Sequence, residues 1–219
     1  QTIGLFIDPS DHVWVVHRPD VLDAVEGAPS QNPPTGGCCK NAPPILEFDQ
    51  AGNLLKSWGG SDGPGFKWPE SNHGINLDNK GYVWIGGNGT NDGHVLKFTQ
   101  DGKFVAMFGR ADVPQPDSLS TERFHRVAET YFYAPLNEVF VADGYSNRRV
   151  AVIDPESGKM KRFWGAYGKP PDDKAALAQG ACAADARPLS DRRRRAGLKQ
   201  SLLDHFREQA GFCVAIVSA

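Results

Sequence analysis

Across 219 residues, 24 lysines and arginines stand against 26 aspartates and glutamates, a net charge of −2, and 40% of residues are hydrophobic. This is an ordinary globular balance with enough apolar residues for one sizeable core. It excludes a generally basic nucleic-acid binder, and no apolar run nears the roughly 20 residues that a membrane-crossing helix needs.

The chain opens on Gln1 rather than Met, as a processed product or a cut piece would. Its first unit, over about residues 1–60, begins GLFIDPSDHVWVVHRP and resumes after an insertion as PILEFDQAGNLLKSWGG. The insertion, Asp20 to Pro44, is rich in proline and glycine and reads as a long loop. The second unit, 66–110, runs HGINLDNKGYVWIGGNG and then HVLKFTQDGKFVAMFG. A polar loop, Ala111 to Glu122, leads to the third unit, 123–168, with ETYFYAPLNEVFVADGY and RRVAVIDPESGKMKRFWG. Trp14, Trp84 and Phe140 occupy matching places, and the units close on Trp58-Gly59, Phe108-Gly109 and Trp164-Gly165.

Each unit offers four short β-rich runs, such as Val13-Trp14-Val15-Val16, separated by turn cassettes such as Asp8-Pro9-Ser10-Asp11 and Asp78-Asn79-Lys80-Gly81. Asp and Asn bond nearby backbone in turns, Pro presets φ and Gly takes positive φ, so the cassettes cut the chain into antiparallel strands. Four-stranded repeats of this size are β-propeller blades. The expected fold is all-β, an incomplete propeller of about three blades. Residues 169–219 change composition, with Ala and Arg replacing Gly, Trp and Val. The spacing of Leu198, Leu202, Leu203 and Phe206 predicts a partly helical tail. The run Arg192 to Arg195 reads as a solvated face.

Four cysteines, Cys38, Cys39, Cys182 and Cys213, include no CxxC. A thiolate zinc knuckle is thereby disfavoured, while two disulfides and four free thiols both stay open. The sequon at Asn88 is read as a mark of an exposed turn.

Polar residues gather at three strand ends: His17 and Arg18, Asn72 and His73, and Asp143, Tyr145, Asn147 and Arg149. In a propeller such ends meet at the mouth of the central channel, where loops on a rigid frame carry function. Each has a structural alternative. Arg18 would clamp Asp143 or meet a ligand. His73 and Tyr145 would bond neighbouring blades or line a site. Asn147 and Arg149 are read as structural.

The stretches LFIDPSDHVWVVHRPD, HGINLDNKGYVWI and VFVADGYSNRRV, with the WG unit endings, resemble NHL-type six-bladed propellers, and within them the peptidyl-hydroxyglycine amidating lyases and their bacterial relatives. The likeness spans about residues 3–170. It implies Tyr145 as a base, Arg18 as a carboxylate partner and His73 as a zinc ligand, with calcium as a further ion. The reaction it implies is C–N cleavage of an α-hydroxyglycine to an amide and glyoxylate. The family's other two zinc histidines would lie in later blades. His125 does not align with a ligand position, and His17 matches without a metal role. The resemblance further implies an extracellular or periplasmic setting. Three functions follow as expectations: a small ligand or peptide bound at the channel mouth, an amidating-type lyase, or a scaffold holding protein partners at the rim. No nucleic-acid or membrane partner is expected.

Overall fold

A computed structural model describes residues 1–19, 25, 27–28, 31–35 and 41–174. The four cysteines and the expected helical tail lie outside the described residues, as does most of the insertion.

Three four-stranded antiparallel sheets form in chain order. The first holds β1 (Thr2–Ile7), β2 (Val13–His17), β3 (Ile45–Phe48) and β4 (Leu54–Trp58). The second holds β5 (Asn72–Leu77), β6 (Val83–Gly87), β7 (Gly93–Phe98) and β8 (Phe104–Arg110). The third holds β9 (Glu129–Tyr133), β10 (Glu138–Asp143), β11 (Arg149–Ile153) and β12 (Met160–Trp164). Every sheet is a meander, with strands hydrogen-bonded in sequence order, and β5 packs between β1 and β9. The described residues therefore form a nearly all-β fold, an incomplete, propeller-like arrangement of three sheets, as the repeat predicts.

The turn cassettes act as their chemistry requires. Asp8 Oδ1 accepts the backbone N–H groups of Ser10 at 2.8 Å and His12 at 3.0 Å. Asp78 Oδ1 does the same for Lys80 and Tyr82, at 2.9 and 3.0 Å. In both, the second carboxylate oxygen accepts the indole N–H of the strand tryptophan, Trp14 or Trp84, at 3.0 Å. One aspartate thus ties the turn to the core. The third sheet has Phe140 in place of the tryptophan and Ala134 in place of the aspartate, so donor and acceptor are absent together and neither is left buried alone.

Strand alternation gives each sheet two apolar faces. On one, here the A face, stand Trp14, Val16 and Ile45 of the first sheet; on the opposite B face stand Val13, Val15, Leu46 and Phe48. The A face of the first sheet packs on the B face of the second, formed by Ile75, Leu77, Val83, Ile85, Leu96 and Phe98. The A face of the second, with Trp84, Val95 and Phe108, packs on Val139, Val141, Ala151 and Ile153 of the third. Stacking of sheets, not closure within one sheet, supplies the core.

Candidate functional site

The candidate site forms where the ends of β2, β5 and β10 converge. His73 sits on the innermost strand of the second sheet beside a β-bulge between His73 and Ile75. The bulge depends on Gly74, whose φ is +72°, and a Cβ there would lie 2.7 Å from Glu129 Oε1 and 2.9 Å from the Ala128 carbonyl oxygen. Backbone handedness and the close approach of the third sheet both demand glycine. Gly74→Ala is expected to cost about 2 kcal/mol or more, read as a lower urea midpoint, since it combines left-handed strain with overpacking.

The bulge turns the His73 ring toward the third sheet. Nδ1 lies 2.6 Å from the Ala128 carbonyl oxygen, to which it donates. That leaves Nε2 as an acceptor, and the Tyr145 hydroxyl donates to it at 2.8 Å. Burial holds the His73 pKa below the usual histidine value, and the positive charge of Arg18 acts in the same direction, against the bond to Ala128. The ring is therefore neutral at pH 7, as an acceptor must be.

Arg18, half-buried just beyond β2, donates from Nε to the Asn72 carbonyl at 3.1 Å and from Nη2 to Asn88 Oδ1 at 2.8 Å. Its charge interacts with Tyr145 and with Asp92. Asn72 links the same two sheets, its Nδ2 donating to the His17 carbonyl at 2.5 Å. Three sheets thus bring Arg18, His73 and Tyr145 into one neighbourhood although 127 positions of sequence separate the first from the last.

The corner that carries Tyr145 owes its polarity mainly to architecture. Asp143 and Arg149 are cross-strand partners whose side chains are fully enclosed and meet at 2.8 Å. Asp143 also accepts from Asn147 Nδ2 and the His125 backbone N–H. Arg149 donates to the carbonyls of Ser118, Ser120 and Arg123, and Asn147 Oδ1 accepts from Asp117 N–H. These residues hold the loop that leads into β9, as their structural reading predicts. The alternative of an Arg18–Asp143 clamp is corrected: Asp143 faces Arg149 across the hairpin, and Arg18 faces Asn72 and Asn88. The reading of Asn88 as a mark of an exposed turn is corrected too. It is half-buried, taking Arg18 at its side chain and Arg126 Nε at its carbonyl, 2.8 Å away.

Glu129 belongs to this neighbourhood without any mark in the sequence. Its carboxyl lies against Gly74, and burial pushes its pKa up to about 8, against the one bond from Thr130 N–H. No cation pairs with it among the described residues. Nothing in VAETYFY distinguishes this carboxylate from a solvated one; the close approach of Gly74 encloses it.

Few donors are available for the zinc that the resemblance implies. His73 offers one nitrogen, already taken by Tyr145, whereas a catalytic zinc takes about three protein ligands. His125 and His17 each bond a carbonyl oxygen, of Thr90 and Pro43. Among the described residues these donors do not make a zinc site around His73. Among the described residues, the one grouping of three potential ligands is Asp8, His12 and Glu47, at the opposite end of β2. Its atoms serve the turn: His12 Nδ1 meets Glu47 Oε1 at 2.8 Å, and the Lys56 ammonium lies 3.0 Å from Glu47 Oε2, so a cation is already there.

Comparison with models of known protein families finds no match, and neither does comparison with curated proteins. Among solved structures, one that the chain is similar to is described as a functionally unknown protein from Desulfotomaculum acetoxidans DSM 771. The identity is 12%, with 78% of this chain and 59% of that chain covered and a TM-score of 0.35. The chain thus spans less than two thirds of that structure's length. No helix among the described residues is long and apolar enough to cross a membrane.

Proposed function

We propose that the convergence of β2, β5 and β10 is a binding site for a small ligand or peptide bearing a carboxylate, in a protein resembling the NHL-type propellers. The supporting observation is the Tyr145–His73 hydrogen bond of 2.8 Å, made between the second and third sheets beside the Arg18 guanidinium of the first. Arg18 spends Nε and Nη2 on the frame, which orients the guanidinium, and Nη1, which has no hydrogen-bond partner among the described residues, is offered to an anion. Tyr145, whose hydroxyl proton is directed to His73, supplies the lone pairs of its hydroxyl oxygen to a polar donor next to that carboxylate.

Short peptides with a free C-terminal carboxylate, titrated calorimetrically against their C-terminal amides, test this reading. The free acids are expected to bind at least about tenfold more tightly, the value of one charge-assisted hydrogen bond, and Arg18→Ala is expected to erase the difference. Equal binding of acid and amide would overturn it.

A second reading, the lyase of the amidating type, draws on the same bond. His73 Nε2 can receive the Tyr145 proton, and the tyrosinate could then take the proton of a substrate hydroxyl as its C–N bond breaks, giving glyoxylate and an amide that takes up a proton. Turnover of an N-acyl-α-hydroxyglycine is the measurement, run with and without added zinc. If the reading holds, Tyr145→Phe lowers kcat by about 100-fold or more, the usual contribution of a general base. Glyoxylate release unchanged in Tyr145→Phe would end it.

A further inference from the structure

A second arginine reaches the candidate site. Arg126 precedes β9 and holds φ at +61°, a left-handed conformation that glycine or asparagine adopts at less cost. Nothing in the backbone there calls for arginine. Its N–H donates to the Asp92 carbonyl oxygen at 2.7 Å, and its own carbonyl oxygen accepts the Tyr145 N–H at 3.4 Å. The side chain turns back over the site. Nε donates to the Asn88 carbonyl oxygen at 2.8 Å, and the guanidinium carbon lies 6.0 Å from the centre of the Tyr145 ring.

Arg18 converges on the same two residues. Its Nη2 takes the other oxygen of Asn88, Oδ1, and its charge interacts with Tyr145. One asparagine thus anchors two guanidiniums, through its side chain and its main chain, beside one tyrosine. Among the described residues neither guanidinium has an ion pair. Asp92, whose charge reaches Arg18, is buried and directs its carboxylate oxygens to the N–H groups of Glu70, Ser71 and Gly89. A structural Arg126 would need one of its five N–H donors, the one on Nε. Nη1 and Nη2 have no hydrogen-bond partner among the described residues, and together they form the end-on fork that matches the two oxygens of a carboxylate. The residue is half-buried, so the fork is reachable and partly withdrawn from water.

We propose that Arg126 is a second carboxylate-binding residue of this site, and that the ligand carries two carboxylates, as the end of a peptide finishing in Asp or Glu does. The C-terminal carboxylate meets Arg18 and the side-chain carboxylate meets Arg126, on either side of Asn88 and Tyr145. The inference rests on the reading of the site as one that binds a carboxylate, and it adds the second charge. Two guanidiniums held on separate oxygens of one asparagine repel each other in the empty site, and a ligand with two negative groups relieves that repulsion at both points. A ligand with one carboxylate relieves it at one. Arg126 therefore determines specificity between acidic and neutral C-terminal residues.

The test is calorimetric titration of the full chain at pH 7 with N-acetyl-Ala-Glu and N-acetyl-Ala-Gln, each as the free acid and as the C-terminal amide. Glutamine keeps the shape of glutamate and removes the second charge. Wild type is expected to bind the Glu acid at least about tenfold more tightly than the Gln acid, the value of one charge-assisted hydrogen bond. Arg126→Gln is expected to bring the two acids level while keeping the preference for acid over amide, which also shows that the variant folds with Arg18 in place. Equal binding of the Glu and Gln acids to wild type, with acid still preferred over amide, would overturn the second carboxylate and leave the first standing. Loss of the acid preference in wild type would overturn both. A Glu preference that survives Arg126→Gln would overturn the assignment to Arg126. So would loss of both preferences in that variant, since Arg126 would then belong to the frame alone.

Discussion

Replacing Arg149 with methionine is expected to cost about 3–5 kcal/mol of stability, because it leaves the Asp143 carboxylate enclosed without its counter-charge. Asp143 and Arg149 are 0% and 4% exposed as residues and share a 2.8 Å contact. Methionine fills much of the arginine stem's volume, so the loss isolates charge and hydrogen bonding from packing. Three carbonyls, of Ser118, Ser120 and Arg123, also lose their donor, so the loop before β9 loosens together with the core. Urea denaturation followed by tryptophan fluorescence reads the effect, with Lys159→Ala, on an exposed turn, staying within about 0.5 kcal/mol of wild type. A midpoint for Arg149→Met equal to that control would refute the view of this corner as a clamp.

Glu129→Gln is expected to stabilise the protein at alkaline pH and to flatten its pH dependence. The folded carboxyl has its pKa pushed up to about 8, from 4.5 in an open chain. The folded state therefore binds more protons than the unfolded one between those values, and stability falls as pH rises through that window. Below pH 4.5 the group is neutral in both states and contributes no penalty; above pH 8 the penalty is complete. Part of the residue meets water, so the loss across the window is on the order of 2–3 kcal/mol, about half of what the full displacement implies at 1.36 kcal/mol per unit. Glutamine keeps the shape and removes the titration. The measurement is urea stability at pH 5, 7 and 9, and parallel curves for wild type and Glu129→Gln would show that Glu129 does not titrate in this range.

Much of the fold was legible because its signals are local. Val13-Trp14-Val15-Val16 is β-branched or aromatic at all four positions, and Asp8 and Asp78 bond backbone two and four positions onward, so the cassettes announce turns without reference to the rest of the chain. The tryptophan-to-phenylalanine change at Phe140 kept the spacing that reveals the third copy. The candidate site was legible only in part. Arg18, His73 and Tyr145 were placed together by resemblance and by the rule that strand ends converge. The hydrogen bond between His73 and Tyr145 joins residues 72 positions apart and depends on a bulge at Gly74 that no periodicity marks. Asn88 resembled an exposed glycosylation signal, and Glu129 resembled any surface carboxylate, because enclosure comes from a second sheet that the local sequence does not mention.

The sequence by itself therefore determined the three-fold repetition, the strands and turns of each unit and the identity of the polar residues at the strand ends, since all of these arise from interactions among near neighbours. Only the tertiary structure decided which arginine neutralises Asp143, which nitrogen of His73 receives the Tyr145 hydroxyl, and which apolar faces are covered. Those outcomes depend on how the sheets stack, and stacking sets distances between residues that the chain keeps far apart.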